Sequence, residues 1–337
     1  MSIPSPSPVT DLLDAFRRTK VMFAAVALGV FDALGGGPLN APALAERLDA
    51  NPDGLERLLD ACVGLEFLKK ENSIYSNLPV AEAYLRRGSP QTLTGYILYS
   101  NYALYGLWGR LEDAVHEGSH RWTQVFRVEG PIFDHFFRTE ENKREFLRGM
   151  HGFGLMSSPP VVAAFDLSRF RRLVDLGGAT GHLASAACEL YPQMQAAIFD
   201  LSPAIEFTRE FMAGSPLLGR LELIPGDFFR DPLPEGDLYA LGRILHDWSE
   251  EKICKLLAKI YAKLPSGGGL LIAEKLLNEQ KTGPLPALLQ SLNMLVCTEG
   301  KERTLEEYAA LLRAAGFAEV EGRMTGAAVD AVLALKA

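Results

Sequence analysis

The sequence predicts an α/β protein: a mostly parallel sheet with helices on both faces, preceded by a mainly helical domain that carries a small winged-helix unit. Three observations lead there. From Phe170 onward, short apolar runs alternate with helical patterns, the rhythm of a parallel sheet whose crossovers are helices. Before Ala81 the order is helix, helix, hairpin, as in a winged helix. Between these parts, residues 172–181 read RLVDLGGATG: a buried strand turns through glycines into a helix, where backbone N–H groups point outward and a ligand can approach the main chain.

Taken in order, residues 10–34 repeat apolar positions at helical spacing, and Gly35, Gly36, Gly37 and Pro38 end the element. Its apolar part, about 14 residues from Val21, is too short to span a bilayer and reads as a buried helix at a subunit interface. Helical patterns at 41–48 and 52–65 precede two strands within 67–78, with the turn at Glu71 and Asn72. A DNA reader would carry Arg or Lys along the second helix. This one offers Arg57 among Asp53, Glu56 and Asp60, so the unit is expected to serve packing or dimerisation.

Residues 81–154 look helical and aromatic. Tyr96, Tyr99, Tyr102, Tyr105 and Trp108 recur every third position, a stripe expected in a core. Phe133, Phe136, Phe137, Phe146 and Phe153 follow, and Phe137 and Phe153 are the first candidates to roof a flat ligand. The strands of the α/β part are expected at 172–177, 195–200, 221–226, 237–245 and 269–277, with helices at 180–190, 203–213, 249–264 and 304–315. Two last strands, 318–325 and 331–336, would form an antiparallel edge. The expected domains are 1–100, 101–158 as a helical linker, and 159–337.

A formal charge of −8 argues against a general nucleic-acid binder, which would show a basic face. Cys62, Cys188, Cys254 and Cys297 are scattered and form no metal-ligand spacing, so they read as free thiols in a reducing compartment. The first residues, MSIPSPSP, lack a basic region followed by an apolar core. No membrane partner and a cytoplasmic location are the expectation.

A dinucleotide fingerprint would need glycines at 177, 179 and 182, whereas Ala179 and His182 stand at two of them. The turn offers no lysine or arginine to a pyrophosphate. Asp175, two residues before Gly177, suits instead a ligand bearing an amino group and a sulfonium. Asp200 closes the second strand where an acid would accept both hydroxyls of a ribose. Asp227 and Phe228, in Gly226-Asp227-Phe228-Phe229, offer a carboxylate and an aromatic face to a purine. Each acid could equally cap the next helix or turn, but three strand ends agree on one nucleoside ligand.

The fourth strand ends in Arg243-Ile244-Leu245-His246-Asp247-Trp248. A lone histidine is more often structural, and Asp247 could cap the next helix. Position favours chemistry, because His246 lies at the same sheet edge and Glu274 ends the next strand. A phenol of pKa about 10 must lose its proton to become a good nucleophile. A neutral imidazole of pKa near 6.5 can take it if a carboxylate steadies the ring; Glu274 and Glu302 are both candidates. No carboxylate cluster for Mg²⁺ is evident in the sequence, so a base mechanism without metal is expected.

These motifs, together with Asp231-Pro232-Leu233-Pro234, Ser291-Leu292-Asn293-Met294-Leu295-Val296 and Thr298-Glu299-Gly300-Lys301-Glu302-Arg303, resemble the cation-independent O-methyltransferases that use S-adenosylmethionine (SAM), and within them the acetylserotonin (hydroxyindole) branch. The likeness runs from about Asp11 to the C-terminus. It implies a Rossmann-like class I methyltransferase sheet behind an N-terminal winged-helix dimerisation domain, a homodimer, S-adenosylhomocysteine (SAH) as product and a small aromatic hydroxyl as acceptor. It makes Asp200 the ribose ligand, Gly226, Asp227 and Phe228 the adenosine site, and Arg243 a contact near the methionine end, with Asp175 and Gly177 in the SAM wall. His246 becomes the base, flanked by Glu274 and Glu302. Asn293 would reach the acceptor, with Asp247 and Cys297 on the same side. Two departures concern the acceptor: Cys297 stands where that branch carries glutamine, and Gly154 where it carries tryptophan. A SAM-binding relative with diverged chemistry, or a non-enzymatic winged-helix module, are the alternatives.

Overall fold

A computed structural model describes residues 4–129 and 139–337, so Phe133, Phe136 and Phe137 lie outside the described residues. The chain divides into two units, Met1–Ala103 and Leu104–Ala337. In the first unit, α1 (Ser7–Leu28) stops where Gly29 turns left-handed, and α2 (Val30–Leu34) continues from it. Then come β1 (Leu39–Asn40), α3 (Ala41–Leu48), α4 (Pro52–Gly64), β2 (Leu68–Glu71), β3 (Ile74–Asn77), α5 (Pro79–Tyr84) and α6 (Thr94–Tyr99). The side chains of Asn40 and Asn51 cap α3 and α4 by accepting from Ala43 N and Gly54 N, which satisfies helix donors that would otherwise be orphaned. The three strands are antiparallel in the order β1-β3-β2, the wing of a winged helix.

Two readings change here. The apolar run from Val21 is core, because Phe23, Ala25, Val26, Val30, Phe31 and Leu34 are buried within this unit. Its uncovered apolar residues lie earlier on α1: Val9, Leu12, Leu13 and Phe16. The tyrosine stripe is also no core, since Tyr102 and Tyr105 are exposed and Ile97, Leu98, Leu104 and Leu107 take the buried positions. A tyrosine keeps its hydroxyl near water more cheaply than a leucine keeps its methyls there.

The second unit begins with α7 (Tyr105–Trp108), α8 (Leu111–Glu117), α9 (Trp122–Phe126) and the long α10 (Glu140–Val162). The sheet follows: β4 (Arg172–Leu176), α11 (His182–Leu190), β5 (Gln195–Asp200), α12 (Ser202–Phe211), β6 (Leu221–Pro225), β7 (Leu238–Gly242), α13 (Glu250–Lys263) and β8 (Gly269–Glu274). Last are α14 (Leu285–Cys297), α15 (Leu305–Ala314), β9 (Glu319–Arg323) and β10 (Asp330–Leu335).

The seven strands run β6-β5-β4-β7-β8-β10-β9. The first five are mutually parallel, and β10 runs antiparallel to both of its neighbours, β8 and β9. Strand order reverses between β4 and β7, so a crevice opens beyond the carboxyl ends of these strands. Apolar clusters fill both faces. All six residues of β8 are buried, as a central parallel strand requires. Burying each large aliphatic side chain contributes about 1.5–3 kcal/mol, enough for this strand to end in the fully buried Glu274.

Candidate active site

At the end of β4, Gly177 sits at φ 69° and Ala179 at φ 47°, a left-handed turn that glycine adopts freely and alanine only with some strain. Asp175 is 2% exposed beneath it and accepts a long hydrogen bond from Ala184 N at 3.3 Å. At the end of β5, Asp200 accepts from Ala179 N at 2.8 Å with Oδ2 and from its neighbour Leu201 N at 2.7 Å with Oδ1. Each oxygen keeps a lone pair, so the carboxylate presents two acceptors to a vicinal diol. Burial pushes Asp175 up to about 7 and Asp200 to about 6. Among the described residues no cation acts on either acid, and both would be stabilised by a ligand that brings one together with hydroxyl donors.

After β6, Asp227 closes a turn on itself: its Oδ1 accepts from Phe229 N at 2.8 Å, and its own N–H donates to Asp231 Oδ2 at 2.8 Å. The turn-capping role that the sequence left open is therefore present, and Oδ2 stays available apart from a 3.5 Å approach by exposed Arg230. Phe228 is half-buried, edge-on to Phe229 at 4.7 Å, and Phe229 meets Trp248 at 5.0 Å. Arg243 follows β7 at φ 57°, a conformation that persists for a large residue only where its surroundings impose it. Its guanidinium lies 4.3 Å over the Phe153 ring and reaches Met150 Sδ at 3.5 Å. The aromatic face of Phe153 thus carries an arginine.

His246 occupies a short turn after β7 and is 3% exposed. Its Nδ1 lies 2.6 Å from Glu302 Oε1 and 3.2 Å from Glu274 Oε2, and Nε2 lies 3.7 Å from Asp247 Oδ1. Glu274 Oε1 accepts from three backbone N–H groups, of Ile244, Leu245 and His246, at 2.9, 2.9 and 3.4 Å. One carboxylate oxygen therefore builds the turn and the other faces the ring. Gly300 rests on that turn so closely that a Cβ would stand 2.1 Å from His246 O, which is how Glu302 comes within reach. Burial alone would lower the imidazole, but Glu274, Glu302 and Asp247 outweigh it and push His246 up to about 9. Here the structure departs from the imidazole of pKa near 6.5 expected from sequence: three carboxyl groups favour the charged form of the ring. Burial pushes Glu274 upward, while His246 and its backbone donors favour the anion.

One ligand atom each from His246, Glu274 and Glu302 fall within 4.8 Å of one another, a donor cluster the sequence did not make evident. The 2.6 Å between Nδ1 and Oε1 is a hydrogen-bond length, whereas two ligands about 2.1 Å from one ion stand roughly 3 Å or more apart. The geometry fits a shared proton.

On α14, Asn293 Oδ1 accepts from Trp108 Nε1 at 2.8 Å, which leaves the amide Nδ2 to donate elsewhere. Cys297 is 3% exposed, with Sγ 3.7 Å from Asn293 Oδ1 and its carbonyl accepting from Trp122 Nε1 at 2.7 Å. Burial pushes its thiol far up, so it stays neutral.

Residues 108–318 match the O-methyltransferase domain model, and residues 10–87 the O-methyltransferase dimerisation domain model. The chain belongs to the O-methyltransferase family. It is 42% identical to acetylserotonin O-methyltransferase of Gallus gallus over 98% of this chain and 97% of that one. The crystal structure of human N-acetylserotonin methyltransferase in complex with SAM matches with TM-score 0.94 at 38% identity, covering 99% of this chain and 98% of that one. The structure of PigF with SAH matches with TM-score 0.90 at 30% identity, covering 99% and 100%. The protein is accordingly a SAM-dependent O-methyltransferase with a Rossmann-like sheet and a dimerisation domain. These matches do not favour a non-enzymatic module. Its own residues fit SAM: Asp175 and Asp200 are acids awaiting a cation and a diol, under a turn with no phosphate-binding side chain.

Sequence reasoning missed several residues of this O-methyltransferase. Trp108 and Trp122 hold Asn293 and Cys297 from 185 and 175 residues away, a distance over which no local pattern signals contact. Gly154 packs against the helix that follows the glycine turn, where a Cβ would stand 2.2 Å from the His182 ring. A tryptophan at 154 is incompatible with His182 in this position. Among the described residues no helix is long and apolar enough to cross a membrane.

Proposed function

We propose that this O-methyltransferase methylates the hydroxyl of a small aromatic acceptor, a hydroxyindole or related phenol, with His246 as general base. The observation that carries the reading is the His246 Nδ1 pairing with Glu302 at 2.6 Å and Glu274 at 3.2 Å, which engages Nδ1 and leaves Nε2 as the nitrogen that exchanges a proton with the acceptor when the ring is in its neutral form. Bound SAM supplies a methyl group on a sulfonium, an electrophile that needs no acid catalysis. Everything else falls to the chain. Asp175 would hold the amino group, Asp200 the ribose diol, and Asp227 with Phe228 the purine, while Gly177 and Gly226 give close backbone approach and Arg243 borders the methionine end. Asn293 Nδ2 would donate to the acceptor, with Cys297, Asp247 and Phe153 bordering it and Phe137 a further candidate. The base accepts the phenolic proton at Nε2, the two carboxylates stabilise the imidazolium, and fixed alignment of the reacting atoms supplies much of the rate.

A homodimer through the N-terminal unit is supported by the dimerisation-domain match and by the uncovered Val9, Leu12, Leu13 and Phe16 on α1. Four free cysteines fit a reducing, cytoplasmic setting.

The test measures transfer of isotope-labelled methyl from SAM to hydroxyindoles, simple phenols and polyketide phenols. Acceptance of hydroxyindoles or phenols by the wild type is expected; a protein that turns over only non-aromatic or non-hydroxyl acceptors refutes the reading. His246→Ala should lower kcat by roughly 10²–10⁴-fold with SAM affinity unchanged. Full activity in that variant would remove His246 as the base.

A further inference from the structure

Behind the catalytic turn lies a second layer of buried charge that the mechanism above does not use. Arg303 is 1% exposed and Tyr308 is fully buried. Arg303 Nη1 donates to Lys301 O at 3.0 Å and to Leu245 O at 3.4 Å. Those carbonyls immediately precede Glu302 and His246, so a single guanidinium group ties the loop of one partner to the turn of the other. The same loop is pinned to the strand that bears Glu274: Leu277 N donates to Arg303 O at 3.0 Å, and Leu277 bridges Thr304. A capping box between Thr304 and Glu307 starts α15 at that point and sets Tyr308 one turn into the helix, its ring 5.9 Å from the Arg303 guanidinium.

A buried hydroxyl and a buried guanidinium are costly where an apolar side chain of the same size would pack as well. The groups around them explain their presence. Glu274 Oε2, Glu302 Oε2, Arg303 Nε and the Tyr308 hydroxyl are all buried polar atoms without a direct hydrogen-bond partner. Burial, then the charges of Glu274 and Glu302, hold the Tyr308 phenol neutral, with only Arg303 pulling the other way. A neutral phenol keeps its proton, so it adds a potential donor beside the two carboxylates and no third negative charge. The remaining charges near His246 are Asp247 on its own turn and Arg243 at the end of β7, with Glu250 3.9 Å and 3.4 Å from Arg303 and Lys301 at the rim.

We propose that Arg303 and Tyr308 are positioning residues for the base: Arg303 fixes His246 against Glu302, and Tyr308 with Arg303 tempers the charge of the carboxylate pair so that the imidazolium can release its proton. The proposal rests on His246 being the base. Its partners suggest a division of labour, with Glu274 and Glu302 making the ring basic and the second layer keeping it from becoming inert.

The test is the pH profile of kcat/KM, with SAM affinity measured alongside as the check on folding. Tyr308→Phe keeps the ring and removes the hydroxyl; kcat should fall about tenfold and the acid-limb midpoint should rise by about half a pH unit. Arg303→Met should raise the midpoint further. Arg303→Lys restores the charge without the planar fork, so its midpoint should return toward wild type while kcat stays low. An unchanged midpoint in Tyr308→Phe overturns the role of Tyr308, and wild-type kcat in Arg303→Lys overturns that of Arg303. If the wild-type profile has no limb that His246→Ala removes, the base assignment itself fails. If that limb is present but indifferent to Tyr308→Phe, this proposal alone fails.

Discussion

Two groups of acids flank the crevice of the catalytic unit, and they are solved in opposite ways. Asp175 and Asp200, at the ends of β4 and β5, are met only by backbone N–H groups, and burial raises both. Glu274 and Glu302 are at least as buried, yet they enclose the imidazole of His246 and are backed by Arg303 and Tyr308. The first group is left short of positive charge and fits a ligand that carries it. The second is complete within the chain and fits a group whose protonation the protein must control. A buried carboxylate is thus informative about function only together with what neutralises it.

The comparison can be broken most severely on the base side. Glu302→Gln removes the charge at 2.6 Å from Nδ1 and should lower kcat about 10²-fold or more while moving the kcat/KM midpoint downward, because the imidazolium loses a counter-ion. SAM affinity should not change; a matching loss of SAM binding would erase the distinction between the two sides. On the other side, Asp200→Asn should weaken SAM about 30-fold, as expected for loss of charge-assisted bonds worth about 2 kcal/mol, with kcat at saturating SAM reduced little. Calorimetric titration and saturation kinetics separate the two outcomes.

A smaller effect sharpens the contrast in pH. Asp175 and Asp200 have folded values of about 7 and 6, above the usual carboxylate value near 3.9. The folded protein therefore holds more protons than the unfolded chain between about pH 4 and 7, and stability falls as pH rises through that window. His246, at about 9 against an ordinary 6.5, gives stability that is fully present below pH 6.5 and is lost between there and pH 9. Tm of the ligand-free protein should decline across both windows. Asp175→Asn should flatten the lower one and His246→Gln the upper one, each by a few degrees. Insensitivity of the lower window to Asp175→Asn would show that this acid is not the buried, uncompensated group described.

Much of this was legible in the chain because the signals are local. Apolar runs of strand length, glycines after Asp175 and Leu176, and acids at strand ends are set by neighbours in sequence, and they located β4 to β8 and the residues at their carboxyl ends. The tyrosine stripe misled because period-three spacing does not say which side of a helix meets the core. The apolar run from Val21 misled in the same way, since it says that a surface is covered but not by what. His246 could be chosen from sequence, but its protonation could not. Three carboxyl groups from three chain segments decide it, and their distances depend on how the loop bearing Gly300 closes on the turn after β7.

The sequence by itself determined the α/β sheet, the winged-helix order and which acids and glycines stand at the strand ends, because backbone propensity and hydrophobic period act over a few residues. Only the tertiary structure decided that three carboxyl groups surround His246, that Gly154 packs against His182, and that Arg303 ties the loop of Glu302 to the turn of His246. Each of those facts is an electrostatic or steric contact between segments far apart in the chain, and such contacts exist only once the chain has folded.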